Sequence, residues 1–98
     1  MPAAYVINDM EVTDAVTFDE YRKLSPATVA LYGGRFLARG GATQTLEGSW
    51  SPKRLVILEF PSAERAQAWL ESPEYAPARK LRQMSTRSNL IITEGLPT

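Results

Sequence analysis

An arginine directly before two glycines is the first feature of the sequence that could do chemistry. Arg39 is followed by Gly40 and Gly41, and backbone amides together with a guanidinium group could hold a carboxylate or an enolate. The structural alternative is a β-bulge that twists an edge strand, with Arg39 paired to a surface acid. The bulge is the favoured interpretation, and Arg39 with the two glycines stays a candidate site.

A glutamate within an apolar strand is the second candidate catalytic residue. Glu59 stands between two apolar residues, where an unpaired carboxylate would be costly. It should therefore form an ion pair, with Arg35, Arg39 or Arg54 as the simplest partners, or serve as a general base. The ion pair is the favoured interpretation.

Three tyrosines, a tryptophan and an arginine are candidate ligand contacts. Trp50 lies in a turn, where its ring should be covered by packing or by a partner subunit rather than by a ligand. Tyr21 and Tyr32 flank the first predicted helix, and their hydroxyls could donate to a ligand held between helix and sheet. Tyr75 and Arg82, seven residues apart on one helical face, could close the same cavity.

Other polar residues carry little weight in the sequence. Four basic residues are typical of solvated helix faces: Arg22, Lys23, Arg79 and Lys80. Asn8 and Asp9 are too generic to assign. No Walker loop, dinucleotide fingerprint, hydrolase elbow or metal motif is present.

Composition excludes several classes of function. The 98 residues, enough for one domain over 1–98, include 11 Lys and Arg, 11 Asp and Glu, and neither His nor Cys. Net neutrality argues against a nucleic-acid binder. The lack of His and Cys removes the usual metal ligands, the thiol nucleophile and the proximal haem ligand. We therefore expect no metal and no cofactor.

Hydropathy predicts neither an export signal nor a membrane span. The N-terminal residues lack a basic region followed by an apolar run. The longest apolar stretches are strand-sized, far below the ~20 residues that cross a bilayer. We expect a cytoplasmic protein with no membrane partner.

The elements that must position the candidate residues alternate between strand and helix periods. A helix is predicted from a cap at Thr13-Asp14 to Gly33-Gly34, with Asp19 and Glu20 in its first turn and Pro26 kinking or dividing it. A second helical region comes in two pieces, the first capped by Ser62 and the second restarting at Ser72-Pro73 and ending near Thr86. Strands are predicted over 5–12, 35–39 resuming at 43–47, 54–60 and 88–94.

This β-α-β-β-α-β order predicts an α+β, ferredoxin-like antiparallel sheet with helices on one face. The third strand is apolar on both sides, with Leu55 and Ile57 opposite Val56 and Leu58. Such a strand needs cover on its second face, and a second copy of the chain is the simplest cover. We expect a homodimer.

Several segments of the sequence carry a resemblance to a known family: Tyr21, YGGRFLARGG at 32–41, LEGSW at 46–50, RLVILEFPS at 54–62, SPEY at 72–75 and Leu81-Arg82. Together they resemble the family of domain of unknown function 1330, in the dimeric α+β barrel superfamily. The resemblance implies the dimeric α+β barrel fold and brings no settled activity. The superfamily contains cofactor-free monooxygenases, haem enzymes, lactone isomerases and dehalogenating enzymes; members that depend on a His do not fit this sequence.

Two functions from different classes remain. One is a small cofactor-independent enzyme in which Arg39 or Arg54 stabilises negative charge and Glu59 or a Tyr moves a proton. The other is a non-enzymatic dimer that binds a small ligand or serves in assembly. An enclosed pocket with converging Arg and Glu side chains favours the enzyme, and a filled interior favours the second.

Overall fold

The computed structural model describes residues 2–97, which form four strands and three helices. In chain order these are β1 (Ala4–Val12), α1 (Ala15–Leu31), β2 (Arg35–Arg39), β3 (Arg54–Phe60), α2 (Ala63–Glu71), α3 (Ala76–Ser85) and β4 (Thr86–Glu94). The strands form one sheet in the order β2-β3-β1-β4, and every neighbouring pair is antiparallel. The predicted α+β, ferredoxin-like fold is confirmed.

Alternation along β1 decides which side of the sheet faces the helices. Ala4, Val6, Asn8 and Met10 are buried, while the residues between them are only half-buried. Side chains on successive strand residues point to opposite faces. The even-numbered residues of β1 therefore face the core, and the odd-numbered ones face the side that the helices leave open.

Helix α1 begins and ends as its caps dictate. The Asp14 carboxylate accepts hydrogen bonds from the backbone N–H and the hydroxyl of Thr17, which satisfies a free amide of the first turn. At the other end Gly33 adopts a φ of 79°, and the N–H of Gly34 donates to the carbonyl of Val29 at 2.9 Å. The start at Ala15 places Asp19 and Glu20 in the second turn, so the prediction that these acids lie in the first turn is wrong.

Helix α1 continues through Pro26, and the predicted division of the helix does not occur. A proline inside a helix removes the hydrogen bond to the carbonyl four residues earlier, here the carbonyl of Arg22. The guanidinium group of Arg39 donates a hydrogen bond to that carbonyl instead.

Strand β2 carries its bulge at Leu37. Phe36 pairs with Leu58 and Ala38 pairs with Ile57, so Leu37 is one extra residue on β2. The bulge predicted at Gly40-Gly41 therefore lies a few residues earlier in the chain, at Leu37. Gly40 instead ends the strand with a φ of 72° and donates its N–H to the carbonyl of Leu55. Residues 43–47 form no strand, which corrects the predicted resumption of β2.

The second helical region consists of two helices, as predicted. Ser62 caps α2 by accepting from the N–H of Arg65 at 3.1 Å. Helix α3 begins at Ala76 rather than Pro73, because the Ser72 hydroxyl closes a separate turn by accepting from the N–H of Tyr75. Strand β4 starts at Thr86, two residues earlier than predicted.

Aromatic side chains fill the core between the helices and the sheet. The Trp69 ring lies 4.2 Å from Tyr75 and 5.4 Å from Phe60 between centroids, so the three rings are in contact and stabilise the core through the area they bury. None of the helices in the described chain combines the length and the apolar composition that a membrane crossing requires.

The other face of the sheet carries an uncovered apolar stripe. The strand register places Ile7 beside Ile57 on one side and Ile91 on the other, and the Ile91 side chain is 56% exposed. The two-sided apolar pattern of the central strands is therefore a feature of the folded chain.

Candidate functional site

A small cavity lies between α1 and the helix-facing side of the sheet. Its volume is about 20 Å³, enough for one water-sized group and far too small for a whole organic molecule. Its walls are mainly apolar and aromatic, and its polar lining residues are Asn8, Tyr21, Arg22, Ser25, Arg39 and Arg54.

Three guanidinium groups converge on this cavity from three elements. Arg22 comes from α1, Arg39 from β2 and Arg54 from β3, and no carboxylate lines the cavity among residues 2–97. Burial lowers the pKa of Arg54 most, and the charges of the other two arginines lower it further. Arg22 also lies 4.0 Å from Oδ1 of Asp19, so Arg39 and Arg54 carry the positive charge that no carboxylate of the described residues pairs with. This charge favours an anionic oxygen in the cavity.

The bulge in β2 aims Arg39 into the cavity. With Leu37 as the extra residue, Arg39 pairs with Val56, whose side chain faces the helices. Without the bulge, the side chains of Phe36 and Arg39, which are three residues apart, would point to opposite faces of the sheet. Instead the Arg39 guanidinium lies 4.6 Å above the centre of the Phe36 ring.

The main-chain carbonyl of Arg22 holds the guanidinium group of Arg39. This carbonyl has no partner within the helix, because Pro26 has no N–H. Nη2 of Arg39 donates to the carbonyl oxygen of Arg22 at 3.1 Å. The proline thus provides an acceptor on α1 for a side chain from the sheet.

Arg54 is held by close packing rather than by an acid. Its guanidinium lies 5.2 Å from the centre of the Phe18 ring. A Cβ built on Gly40 would lie 2.7 Å from Cζ of Arg54, so only glycine lets the backbone approach this closely. Nε of Arg54 is buried and has no hydrogen-bond partner among the described residues.

A chain of buried hydrogen bonds runs from α3 to the cavity wall. Nε of Arg82 donates to the Tyr75 hydroxyl at 3.2 Å, and the Tyr75 and Tyr21 hydroxyl oxygens lie 3.0 Å apart. Burial, followed by the neighbouring Tyr75, raises the pKa of Tyr21 well above its usual value. Tyr21 is therefore a neutral phenol at the cavity, able to donate a proton in a hydrogen bond.

The structure brings together six of the ten residues that the sequence singled out. Tyr21, Arg39 and Arg54 line the cavity. Gly40 packs behind Arg54, and Tyr75 and Arg82 support Tyr21 from outside the cavity. The remaining four lie elsewhere: Tyr32, Gly41, Trp50 and Glu59.

Glu59 lies on the open face of the sheet. Its carboxylate accepts from Nε of Arg35 at 2.6 Å, and its side chain is 23% exposed. Glu59 and Arg39 therefore lie on opposite faces of the sheet. The contact of Glu59 with Arg35 is an ion pair, the interpretation favoured from the sequence.

Trp50 and Tyr32 also lie outside the cavity. Trp50 is 59% exposed in the single chain, where its Nε1 donates to Asp9 at 2.8 Å, so the expected cover over its ring is not supplied by this chain. The Tyr32 hydroxyl donates to Glu74 at 2.8 Å on the surface. That carboxylate raises the pKa of Tyr32.

Three polar cavity residues were not among the predicted site residues: Asn8, Arg22 and Ser25. The signal for Asn8 is its place between Val6 and Met10 on the core-facing side of β1, where an amide interrupts an apolar face. The signal for Arg22 is its helical spacing from Phe18 and Ser25, which also line the cavity.

An open groove continues the cavity to the surface. It has a volume of about 510 Å³ and is lined by apolar residues of β1 and α1 together with Asp19. Phe18, Arg22 and Arg54 belong to both the groove and the cavity. Among the described residues no cluster of three or more acidic side chains could hold a metal ion.

Comparison with solved structures gives several matches along nearly the whole chain. A protein of unknown function from Rhodopseudomonas palustris is 21% identical with a TM-score of 0.80, over 99% of this chain and 85% of the other. SnoaB, a cofactor-independent oxygenase from Streptomyces nogalater, is 14% identical with a TM-score of 0.65, over 100% and 97%. A Nitrosomonas europaea protein, provisionally assigned as an antibiotic biosynthesis monooxygenase, is 15% identical with a TM-score of 0.55, over 98% and 93%.

At these identities the likeness shows the fold alone. A comparison with functionally curated proteins gives no match. The sequence profile of the family described as "Domain of unknown function (DUF1330)" matches residues 3–96, nearly the full length of the chain. The chain therefore belongs to the DUF1330 family, with the fold of the dimeric α+β barrel proteins.

Proposed function

We propose that the chain is a cofactor-independent enzyme of the oxygenase or isomerase type, acting on a small organic compound whose reacting oxygen enters the arginine-lined cavity. The observation that supports this most is Arg54, whose Nε is buried without a partner among the described residues. Arg22 and Arg39 add positive charge, and no carboxylate in the described chain shares the cavity. Donors arranged in this way stabilise charge that develops on a bound oxygen.

In this proposal the arginines stabilise an enolate. The substrate loses its acidic proton to water or to a buffer base, since no carboxylate of the described chain lines the cavity. An isomerase returns a proton to a different carbon of the enolate. In an oxygenase the enolate carbon forms a bond to dioxygen, and the resulting peroxide takes up a proton. Arg39 and Arg54 would carry the charge stabilisation. Tyr21, kept neutral by burial, would donate a hydrogen bond to the enolate oxygen and could return a proton. We assign no catalytic part to Glu59, because it pairs with Arg35 on the open face.

The proposal assigns the body of the substrate to the groove. A cavity of about 20 Å³ admits a single oxygen-sized group. The adjoining groove of about 510 Å³ offers room and apolar contacts for the rest of the molecule. Arg22 and Phe18 lie where the two spaces join, so the substrate would pass between them.

We further propose that the chain works as a homodimer in which a second copy covers the open face. The stripe formed by Ile7, Ile57 and Ile91 supports this proposal, because apolar surface of this kind is costly to leave in water. Trp50, exposed beside the same face, is of the type that anchors interfaces.

The non-enzymatic alternative also has a specific observation in its favour. The cavity is nearly filled by the protein's own side chains, and a protein that only binds a ligand or assembles needs no larger one. A binding protein would retain its ligand unchanged, whereas an enzyme would release a product.

Turnover of enolisable compounds separates the two functions. We suggest incubating the protein with a panel of phenols and 1,3-dicarbonyl compounds, following oxygen uptake with an electrode and isomerisation by NMR. The comparison uses Arg54→Met and the control Arg87→Met, which removes a guanidinium that is 83% exposed. The enzyme proposal expects turnover that falls at least about tenfold in Arg54→Met alone. Binding without turnover would favour the alternative, and equal turnover in both variants would contradict the site.

A further inference from the structure

Asn8 is a buried amide whose oxygen has no hydrogen-bond partner within residues 2–97. The residue is 5% exposed and lines the cavity, and its Oδ1 accepts no hydrogen bond from any described residue. Buried polar atoms in folded proteins are almost always paired, so each exception needs an explanation. Nothing in the packing of β1 requires an amide here, because its neighbours on the same face are Val6 and Met10.

Nε of Arg54, a donor with no partner among the described residues, lies near this acceptor. In the pairing of β1 with β3, Asn8 is opposite Val56 and Met10 is opposite Arg54, so Asn8 and Arg54 are diagonal neighbours on one face of the sheet. Nε of Arg54 donates only, and Oδ1 of Asn8 accepts only. The two do not bond to each other, so a single group that reaches both would accept from Nε of Arg54 and donate to Oδ1 of Asn8.

A hydroxyl group of a ligand, or a water molecule that such a hydroxyl would replace, meets both requirements with a single oxygen atom. The cavity volume of about 20 Å³ admits one such atom. A carboxylate or an ether oxygen could accept from Arg54 but has no proton for Asn8. Three nearby guanidinium groups favour a hydroxyl that is acidic, because its oxygen can take on negative charge.

We propose that Asn8 and Arg54 together bind the hydroxyl of an enol or a phenol, and that Asn8 determines the specificity for this group. In the bound enol or phenol the hydroxyl donates to Oδ1 of Asn8 and accepts from Nε of Arg54. Once the hydroxyl has lost its proton, its oxygen keeps only the contact with the guanidinium group. The inference rests on the proposed function and narrows its substrate class. The apolar remainder of the ligand lies against Phe18 and Val16 in the groove.

The test compares two ligands of the same shape. The probes are 4-ethylphenol and 1-ethyl-4-fluorobenzene, in which fluorine replaces the hydroxyl, and their affinities are measured by NMR titration at neutral pH. The variants are Asn8→Leu, which removes the acceptor, and Asn89→Leu, the same change at an exposed residue of β4. Asn8→Ala repeats the measurement if Asn8→Leu disturbs the fold.

The expected result is a preference for the phenol in the wild-type protein that falls by about tenfold in Asn8→Leu and persists in Asn89→Leu. An unchanged preference in Asn8→Leu or Asn8→Ala would overturn the inference, as would equal affinities of the wild type for the two probes. The proposed function fails differently: neither probe would bind the wild type, or Arg54→Met would bind the phenol as tightly as the wild type does.

Discussion

Arg39 of the sheet is tied to Arg22 of helix α1 by a hydrogen bond of 3.1 Å from Nη2 to the main-chain carbonyl oxygen. The carbonyl is free for this contact because the residue four positions later is Pro26, which has no N–H. The bulge at Leu37 provides the other half of the arrangement, since it turns Arg39 toward the helices. Two local irregularities, one in a helix and one in a strand, thus meet at one side chain.

Replacing Pro26 should raise the stability of the protein and weaken ligand binding. Pro26→Ala restores an N–H that competes with Arg39 for the Arg22 carbonyl, so we expect the free energy of unfolding to rise by about 1 to 3 kcal/mol. The affinity for 4-nitrophenol should fall, because Arg39 loses its anchor. Urea denaturation and ligand titration measure the two effects.

Pro77→Ala is the matched control for that experiment. Pro77 lies in the first turn of α3, where the missing N–H has no helical partner to lose. The control should change neither property much. A Pro26→Ala variant that binds 4-nitrophenol as tightly as the wild type would show that the Arg22 carbonyl does not position Arg39 for binding.

The two neighbouring glycines should respond differently to alanine. Gly40 has a φ of 72°, and a Cβ there would crowd Arg54, whereas a Cβ on Gly41 would meet nothing within 4 Å. We expect Gly40→Ala to lower the free energy of unfolding by about 1 to 3 kcal/mol and to weaken ligand binding by displacing Arg54. Gly41→Ala should stay within about 0.5 kcal/mol. Equal effects of the two variants in urea denaturation would refute this account of Gly40.

The buried phenol of Tyr21 should make the protein sensitive to alkali. Its pKa is raised in the folded state by burial and by Tyr75, so above about pH 10 the unfolded chain loses this proton while the folded chain keeps it. The free energy of unfolding should therefore fall as the pH rises past about 10. In Tyr21→Phe this part of the fall should disappear.

The check is urea denaturation of both proteins from about pH 8 to about pH 11. Tyr32→Phe is the comparison, and it should remove only a small part of the fall, because the Tyr32 hydroxyl bonds Glu74 at the exposed surface, where water screens the interaction. Parallel pH profiles for the wild type and Tyr21→Phe would mean that Tyr21 is not held neutral by its burial.

A charge on the open face should dissociate the proposed dimer. Ile91→Glu places a carboxylate at the β4 end of the apolar stripe, where a second copy would have to desolvate it. Met84→Glu makes the same change on α3, at a side chain that is 63% exposed on the helical side. Light scattering at micromolar concentration should show a dimer for the wild type and Met84→Glu, and a monomer for Ile91→Glu. A folded wild-type monomer would rule out the dimer.

Local signals in the sequence are sufficient for most of the fold. Asp14 and Ser62 mark helix starts because their side chains satisfy free amides, and Gly33 marks a helix end because its φ is positive. Each of these depends on residues at most a few positions apart. The alternation in β1 likewise predicts which of its side chains are buried.

The site depends on relations that no local pattern contains. The position of the bulge follows from the register between β2 and β3, and the fate of the Arg22 carbonyl depends on a contact between residues 17 positions apart. The buried position of Asn8 can be predicted from the sequence, because an amide is unusual on a strand face that is otherwise apolar. Glu59 was open to both interpretations, since only the packed sheet shows that Arg35 is its partner.

The ionisation of a bound indicator phenol tests the central claim most directly. 4-Nitrophenol changes its absorption when it loses its proton, so its pKa in the complex can be read by titration in the spectrometer. If the guanidinium groups of Arg22, Arg39 and Arg54 stabilise a bound oxyanion, this pKa should fall by about 1 unit or more on binding. Most of that fall should vanish in Arg54→Met. A bound indicator whose pKa is unchanged or raised would contradict the assignment of the cavity as an oxyanion site.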